Sequence, residues 1–264
     1  MEYALVEYPY PWLTAMFLSM PRFLAMFSVL PMFNRQALPG LLRVGVAFSM
    51  AILMVPSLST EALSVVRGGG TIMILLLKEA GIGFLIGFIV ALPLWAMDIM
   101  GAYVDNQRGA SIAATINPLT GHDTSPLGEI FSLAAMTLLL VSGGMFLILD
   151  IVYESYCIWP VLEMLPKFSP EMPVELLFLM DKLMRMAVLF SAPVIFVMFL
   201  AEIGLGLVSR FVPQLQVFFL AMPIKSALAM FMFSVYTAVL LGYLAKELEA
   251  LRHTVLPSIR AMFL

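Results

Sequence analysis

Long, nearly unbroken apolar runs constrain this chain more than any other feature of its sequence. They form about six blocks, and roughly 20 apolar residues suffice for a helix to cross the hydrocarbon core of a bilayer. The blocks lie at approximately 12–33, 41–56, 71–100, 130–149, 184–208 and 217–244. Because the apolar residues are contiguous instead of alternating, the pattern does not fit a membrane β-barrel. We therefore predict an all-α, multi-pass membrane protein.

The charge content agrees with this class. Charged residues make up 12% of the chain and hydrophobic residues 62%, whereas a soluble domain carries about 25% charged residues. The formal net charge of −3 provides no basic surface, so nucleic acid is not an expected partner. Cys157 is the single cysteine, which rules out a disulfide within the chain. No separate soluble domain is visible, and we treat 1–264 as one membrane domain.

Several charged residues interrupt the apolar blocks. They are Arg22, Lys78, Glu79, Glu202 and Lys225. Placing an ionised side chain near the bilayer centre costs at least about 2.5–3.5 kcal/mol on insertion scales, so such groups normally face protein or water. Any one of these side chains alone could extend so that its charged end lies at the membrane surface while its aliphatic part stays in the bilayer. As a set, they predict helices that pack against other protein through buried charges.

Glu202 and Lys225 permit a geometric prediction. They lie at nearly equal distances in sequence from Pro213, which with Gln214 occupies a predicted turn between the fifth and sixth blocks. If these two blocks form an antiparallel hairpin, the two side chains lie at the same depth and pair. The alternative is that each faces water separately.

The polar run from Asp105 to Glu129 separates the third and fourth blocks. It is long for a connection, since most connections are about 4–6 residues. One interpretation is an exposed loop between two membrane helices. The other is a loop that folds back into a cavity or pore, which its many small residues favour because they let the backbone pass through a narrow space.

The sequence contains a glycine pair at helix-packing spacing but no recognisable metal-binding or catalytic motif. Gly83 and Gly87 are four residues apart, a weak signal for close helix packing. The pair His122-Asp123 lacks companions for a metal site, and nothing around Asp98 and Asp105 supports an aspartyl dyad. No catalytic motif or phosphate-binding loop is present. We therefore expect no enzymatic activity, no cofactor and no metal.

A further set of residues carries a family resemblance along nearly the whole chain. It consists of Arg22, Pro31, Pro39-Gly40, Arg43, Glu79-Ala80-Gly81, Gly87, Asp105-Asn106-Gln107-Arg108-Gly109, Asn117-Pro118, Gly143-Gly144 and Pro213-Gln214-Leu215-Gln216 ahead of Lys225. In this order they resemble the SctT/FliR family, the export-apparatus component of type III secretion systems and bacterial flagella. The form of the run at 105–109 looks more like the injectisome, or virulence, branch than the flagellar one.

The resemblance implies kinked helical hairpins in a helical, pseudo-rotational hetero-oligomer. The implied partners are SctR/FliP-like and SctS/FliQ-like subunits, an SctU/FlhB-like switch protein, membrane lipid and unfolded protein substrates. The implied location is the bacterial inner membrane, with the assembled form projecting toward the periplasm. The charged and proline-broken blocks would then be buried against the partners.

The resemblance also implies a role for the polar run, since a loop of this subunit plugs the closed channel in related complexes. The matching stretch is 106–123, within a loop at 104–129. We expect its gate residues to be Asn106, Gln107, Arg108, Gly109, Ser111, Asn117, Pro118 and Gly121. Of these, 106–108 would anchor the loop, while Gly109 and Gly121 would act as hinges. The rival function is a secondary transporter with Lys78, Glu79, Glu202 and Lys225 as coupling groups.

Overall fold

A computed structural model describes residues 11–33, 38–57, 69–110, 125–163, 169–170, 172–212 and 217–263. These residues are predominantly helical, and no strand occurs among them. The helices are α1 (Pro11–Val29), α2 (Gly40–Ala51), α3 (Gly69–Arg108), α4 (Pro126–Val141), α5 (Gly144–Ile158), α6 (Met172–Phe211) and α7 (Val217–Phe263). Short 3-10 segments at Pro31–Phe33 and Ile52–Ser57 follow α1 and α2. The predicted all-α class is confirmed.

Among the described residues, 4 helices are long and apolar enough to cross a membrane, namely α1, α3, α6 and α7. The count rises to 5 if α4 and α5, which are separated by a break, form one span. Gly143 lies at this break with a φ of +79°, a backbone conformation that favours glycine. The segment Gly40–Pro56 is apolar but shorter than a span. The protein is therefore a multi-pass membrane protein.

Three helices extend well beyond the predicted apolar blocks. α3 and α6 contain 40 residues each, or about 60 Å, and α7 contains 47. The last part of α7, from Ala245 to Phe263, mixes charged, polar and apolar residues, so it is helical without being continuously apolar. The predicted blocks are shorter than these helices because hydropathy identifies only the uniformly apolar part of each helix.

The polar run is less of a loop than the sequence suggested. Its first residues, Asp105 to Arg108, form the last turn of α3, and its last residues belong to the first turn of α4. α3 ends because Gly109 adopts a φ of +85°, which a helix cannot continue. α4 begins because Ser125 is its N-cap, with the Ser125 Oγ accepting a hydrogen bond from the Gly128 amide at 2.9 Å. Pro126 occupies the first helical position.

The chain forms two compact units. The first consists of Met1–Ala91, Met145–Leu176 and Leu251–Leu264, and the second of Leu92–Gly144 and Leu177–Ala250. α3, α6 and α7 each contribute residues to both units. Each unit has its own buried apolar side chains and its own charged residues.

In the first unit, α1 packs closely against α3. A Cβ atom added to Gly83 would overlap the main-chain oxygen of Arg22, and one added to Gly87 would lie 2.8 Å from the main-chain oxygen of Met26. Two glycines four residues apart therefore allow the helix backbones to touch, as the weak spacing signal suggested. The Phe23 side chain of α1 is fully buried, and its ring lies 6.0 Å from the ring of Tyr153 in α5.

In the second unit, α3 and α4 approach each other at a pair of glycines. A Cβ on Gly101 would overlap the main chain of Gly128. Further along, Phe131 of α4 contacts Phe233 of α7, with ring centroids 4.6 Å apart. The described start of α4 is thereby fixed against the last turns of α3.

The Gly83 contact leads to a test of the α1–α3 packing. We expect Gly83→Ala to lower the free energy of unfolding by about 1–3 kcal/mol, because the new methyl group has no space beside the Arg22 backbone. The matched control is Gly81→Ala on the same helix, where a Cβ meets nothing within 4 Å. This control should be neutral or more stable by up to about 1 kcal/mol. Thermal unfolding of the detergent-solubilised variants measures both, and equal effects would contradict the packing.

Candidate functional site

The predicted charged residues fall into separate clusters in the two units. Arg22, Lys78 and Glu79 lie together in the first unit. Gln107, Glu202 and Lys225 lie together in the second unit, where Arg108 joins a further cluster around Asp105. The sequence had grouped the charged residues only by their position in apolar blocks.

We call the first group the Arg22 cluster: Arg22, Lys78, Glu79, Ser155 and Tyr156. Both Arg22 and Glu79 side chains are 0% exposed. Arg22 Nε donates to Glu79 Oε2 at 2.7 Å, and its Nη2 donates to Oε1 at 3.0 Å, a bidentate pair. Lys78 Nζ lies 2.9 Å from Glu79 Oε1. One buried carboxylate therefore pairs with two cations.

Two further N–H groups of Arg22 also have partners. Nη1 donates to Ser155 Oγ at 2.9 Å, and Nη2 donates to the Trp159 carbonyl at 3.0 Å. The Tyr156 ring lies 3.8 Å from the guanidinium carbon, a cation–π contact, and its hydroxyl donates to the Ser19 carbonyl. The cluster thus joins α1, α3 and the end of α5 by charge-assisted hydrogen bonds. Its arrangement is suited to holding helices together.

We call the second group the Asp105 cluster: Asp105, Arg108, Ser125 and the Leu127 amide. Arg108 Nε donates to Asp105 Oδ1 at 2.7 Å. Ser125 Oγ and the Leu127 amide both donate to Oδ2, at 2.5 and 2.9 Å. The buried carboxylate lies at the N-terminus of α4, where the helix dipole favours negative charge. It therefore links the last turn of α3 to the first turn of α4.

We call the third group the Lys225 cluster: Gln107, Glu202 and Lys225. Lys225 Nζ lies 3.2 Å from Glu202 Oε2, which confirms the predicted pairing of these two side chains. Gln107 Nε2 donates to the same oxygen at 3.4 Å. The two partners differ in burial, since the Lys225 side chain is 11% exposed and the Glu202 side chain 51%. The Glu202 side chain therefore stays half accessible within this chain, and its burial against partner protein stays a prediction.

The structure places only some of the predicted gate residues. Asn106 is exposed on the last turn of α3, and Gly109 ends that helix beside the Met222 side chain, 3.2 Å from the position of an added Cβ. Ser111, Asn117, Pro118 and Gly121 lie outside the described residues, as do Pro213 and Gln214 of the predicted turn. Their assigned roles stay predictions.

Sequence reasoning missed the residues that complete the two buried clusters. Ser155 and Tyr156 gave no signal, because they lie far from Arg22 in the chain. Asp105 was treated only as the first residue of the polar run, although its carboxylate accepts hydrogen bonds from both the end of α3 and the start of α4. Ser125-Pro126 was a usable signal, since a serine followed by proline marks a helix start. In the described part of the chain, no group of His, Cys, Asp and Glu side chains could hold a metal ion; His122 and Asp123 lie outside it.

Comparison with known proteins gives a consistent answer. The family model described as "Bacterial export proteins, family 1" matches residues 13–251. The chain belongs to this family. The Yop proteins translocation protein T of Yersinia pestis is 37% identical over 232 residues, which cover 88% of each chain.

Two other relatives extend the comparison to further bacteria. The surface presentation of antigens protein SpaR of Salmonella typhimurium is 31% identical over 222 residues, covering 83% of this chain and 81% of the relative. The flagellar biosynthetic protein FliR of Bacillus subtilis is 31% identical over 229 residues, covering 83% and 84%. The resemblance to the SctT/FliR family is confirmed.

Membership in bacterial export protein family 1 settles the coarse function. The chain is an integral inner-membrane component of a type III secretion export apparatus and takes part in protein transport. The family is one of structural export components, so the expectation of a non-enzymatic protein is confirmed. Membership also favours the export function over the secondary transporter.

The Arg22 cluster predicts a large effect of a small substitution. We expect Glu79→Gln to lower the free energy of unfolding by about 3–5 kcal/mol, because Arg22 and Lys78 both lose their buried counter-ion. The control is Glu247→Gln, which breaks the partly exposed pair with Lys182 and should cost no more than about 1 kcal/mol. Thermal unfolding in detergent provides the comparison. Similar losses for the two variants would show that Glu79 is not the central counter-ion.

The Lys225 cluster predicts coupling between its two charges. We expect Glu202→Lys and Lys225→Glu each to reduce stability and secretion, and the double reversal to recover at least half of the loss. The coupling should amount to about 0.5–3 kcal/mol, as for side chains in contact. A double-mutant cycle on unfolding midpoints measures it. Purely additive effects would mean that the two charges act independently.

Proposed function

We propose that this protein forms part of the protein-conducting entry pore of a type III secretion export gate. It assembles there with SctR- and SctS-type subunits, and an SctU-type switch protein contacts the same assembly. The segment 106–123 occludes the pore until an unfolded substrate arrives. The gate is passive, and the energy for export is supplied by other components of the apparatus.

The observation that carries the gating proposal is the Asp105 cluster. A plug must be held at its base while its middle moves, and Asp105 binds both ends of the segment at once. On the α3 side it accepts from Arg108, and on the α4 side from Ser125 and Leu127. Both Asp105 oxygens are used, and the carboxylate is buried. This arrangement supports a segment whose two ends stay fixed.

Residue composition supports the same role for the segment between these ends. It is rich in alanine, serine, threonine and glycine, including Ser111 and Gly121. Small side chains can fill a narrow channel and leave it without exposing much apolar surface to water. Gly109, with its positive φ, provides the point at which the chain leaves α3.

The length of α6 supports assembly with partner subunits. Its 40 residues extend over about 60 Å, about twice the thickness of a bilayer core. Large apolar side chains are exposed along it at both ends, including Val174, Leu177 and Phe178 near the start and Ile203 and Leu207 near the end. A bilayer of about 30 Å cannot cover an apolar stripe of this length on a helix that crosses it directly. Partner helices would cover the remainder.

Co-expression with the two partner subunits tests the assembly. We expect native mass spectrometry of the detergent-extracted particle to show this chain in a larger complex of defined stoichiometry. The control is the same preparation with either partner gene omitted, which should leave this chain outside the complex. A stable monomer or homodimer that ignores both partners would refute the proposal.

Ion leakage tests the gate. In the assembled complex, we expect deletion of Ser111 to Thr120 to increase ion conductance through the membrane, and Asp105→Asn to give a smaller increase because the base of the segment loosens. The control is Asp181→Asn, which removes a largely exposed partner of Arg185 and should not change conductance. An intact complex that stays closed after the deletion would rule out the plug while leaving the assembly intact.

A further inference from the structure

The ammonium group of Lys78 lies inside a ring of main-chain oxygens. Its Nζ atom donates to the carbonyls of Pro160 at 2.9 Å, Val161 at 2.8 Å and Glu163 at 2.9 Å. The fourth oxygen is Glu79 Oε1, also at 2.9 Å. The Lys78 side chain is 5% exposed. All these residues belong to the first unit.

The number of acceptors around Lys78 Nζ favours the charged form of Lys78. A lysine ammonium has three N–H donors, and the three carbonyls provide an acceptor for each. A neutral amine has only two donors, and would lose the hydrogen bond to one of the three carbonyls. The fourth contact, with Glu79, is between opposite charges and also needs the ammonium form.

The position of the ring explains how two cations share one carboxylate. The Arg22 cluster contains Arg22 and Lys78 against Glu79, which leaves one formal positive charge. The carbonyls that surround Lys78 follow directly on the C-terminus of α5 at Ile158, the negative end of that helix dipole. Oriented carbonyl dipoles, as for ions in selectivity filters, and the nearby Glu163 carboxylate together offset the excess charge.

We propose that Lys78 is a positioning residue that acts as a tethered cation. It fixes the turn Pro160–Glu163, and hence the direction in which the chain leaves α5, by occupying a site built for an ammonium-sized monovalent cation. If the side chain is removed while the oxygens remain, the site accepts a free ammonium or potassium ion. This inference does not depend on the proposed pore function.

The test is chemical rescue of Lys78→Ala in the full-length chain purified in detergent. We expect its unfolding midpoint in tetramethylammonium chloride to lie about 5 °C or more below wild type. Replacing that salt by ammonium or potassium chloride at equal ionic strength should recover at least half of the difference. The recovery should rise with concentration and then saturate, as for binding at one site.

Two variants separate a specific site from a general salt effect. Lys78→Met keeps the volume of the stem and fills the cavity, so it should be destabilised and should not respond to ammonium. Lys182→Ala removes a lysine from the partly exposed pair with Glu247 and should respond equally to all salts. Rescue of Lys78→Met by ammonium would overturn the inference. So would a Lys78→Ala variant that fails to fold, or stays destabilised, in every salt.

The single cysteine offers a local readout. Cys157 is exposed on the last turn of α5, directly before the turn that Lys78 holds. A spin label at this thiol should become more mobile in Lys78→Ala and recover its wild-type mobility when ammonium is added. Unchanged mobility in Lys78→Ala would show that Lys78 does not position the turn.

Discussion

The first unit depends on one buried carboxylate. Glu79 contacts two cations with its two oxygens. Without it, Arg22 and Lys78 would be two like charges close together in a site from which water is excluded. With it, the charges hold α1, α3 and the end of α5 at fixed positions. The glycines at 83 and 87 add the close backbone approach that brings Arg22 within reach of Glu79.

The second unit uses the same principle with different chemistry. Asp105 is also a buried carboxylate that joins separate segments, but its partners are one guanidinium, one hydroxyl and one main-chain amide. Because these partners lie on both sides of residues 111–124, the contact defines the base of that segment. These polar contacts, buried among apolar helices, hold the end of α3 and the start of α4 at fixed positions.

The Arg22 cluster and the Lys225 cluster differ in how far their charged side chains are exposed. The Arg22 cluster is closed, because its guanidinium and carboxylate are fully buried and paired within one unit. The Lys225 cluster is half open, because much of the Glu202 side chain stays accessible. On an otherwise apolar stretch of α6, an accessible carboxylate is costly in lipid and compatible with a protein or water environment. The charges that sequence reasoning treated as one set thus have distinct surroundings.

The sequence by itself determined the class, the approximate positions of the long helices and the family. Contiguous apolar residues predict membrane helices, but the predicted blocks missed the end of α3 at Arg108 and the start of α4 at Pro126. The sequence also predicted the Glu202–Lys225 pair, because a hairpin makes sequence distance a guide to depth. Only the tertiary structure decided that Arg22 meets Glu79 and Ser155, or that Lys78 meets the turn after α5. Those contacts join residues far apart in the chain, and they depend on which helix faces pack together, a property that no local pattern encodes.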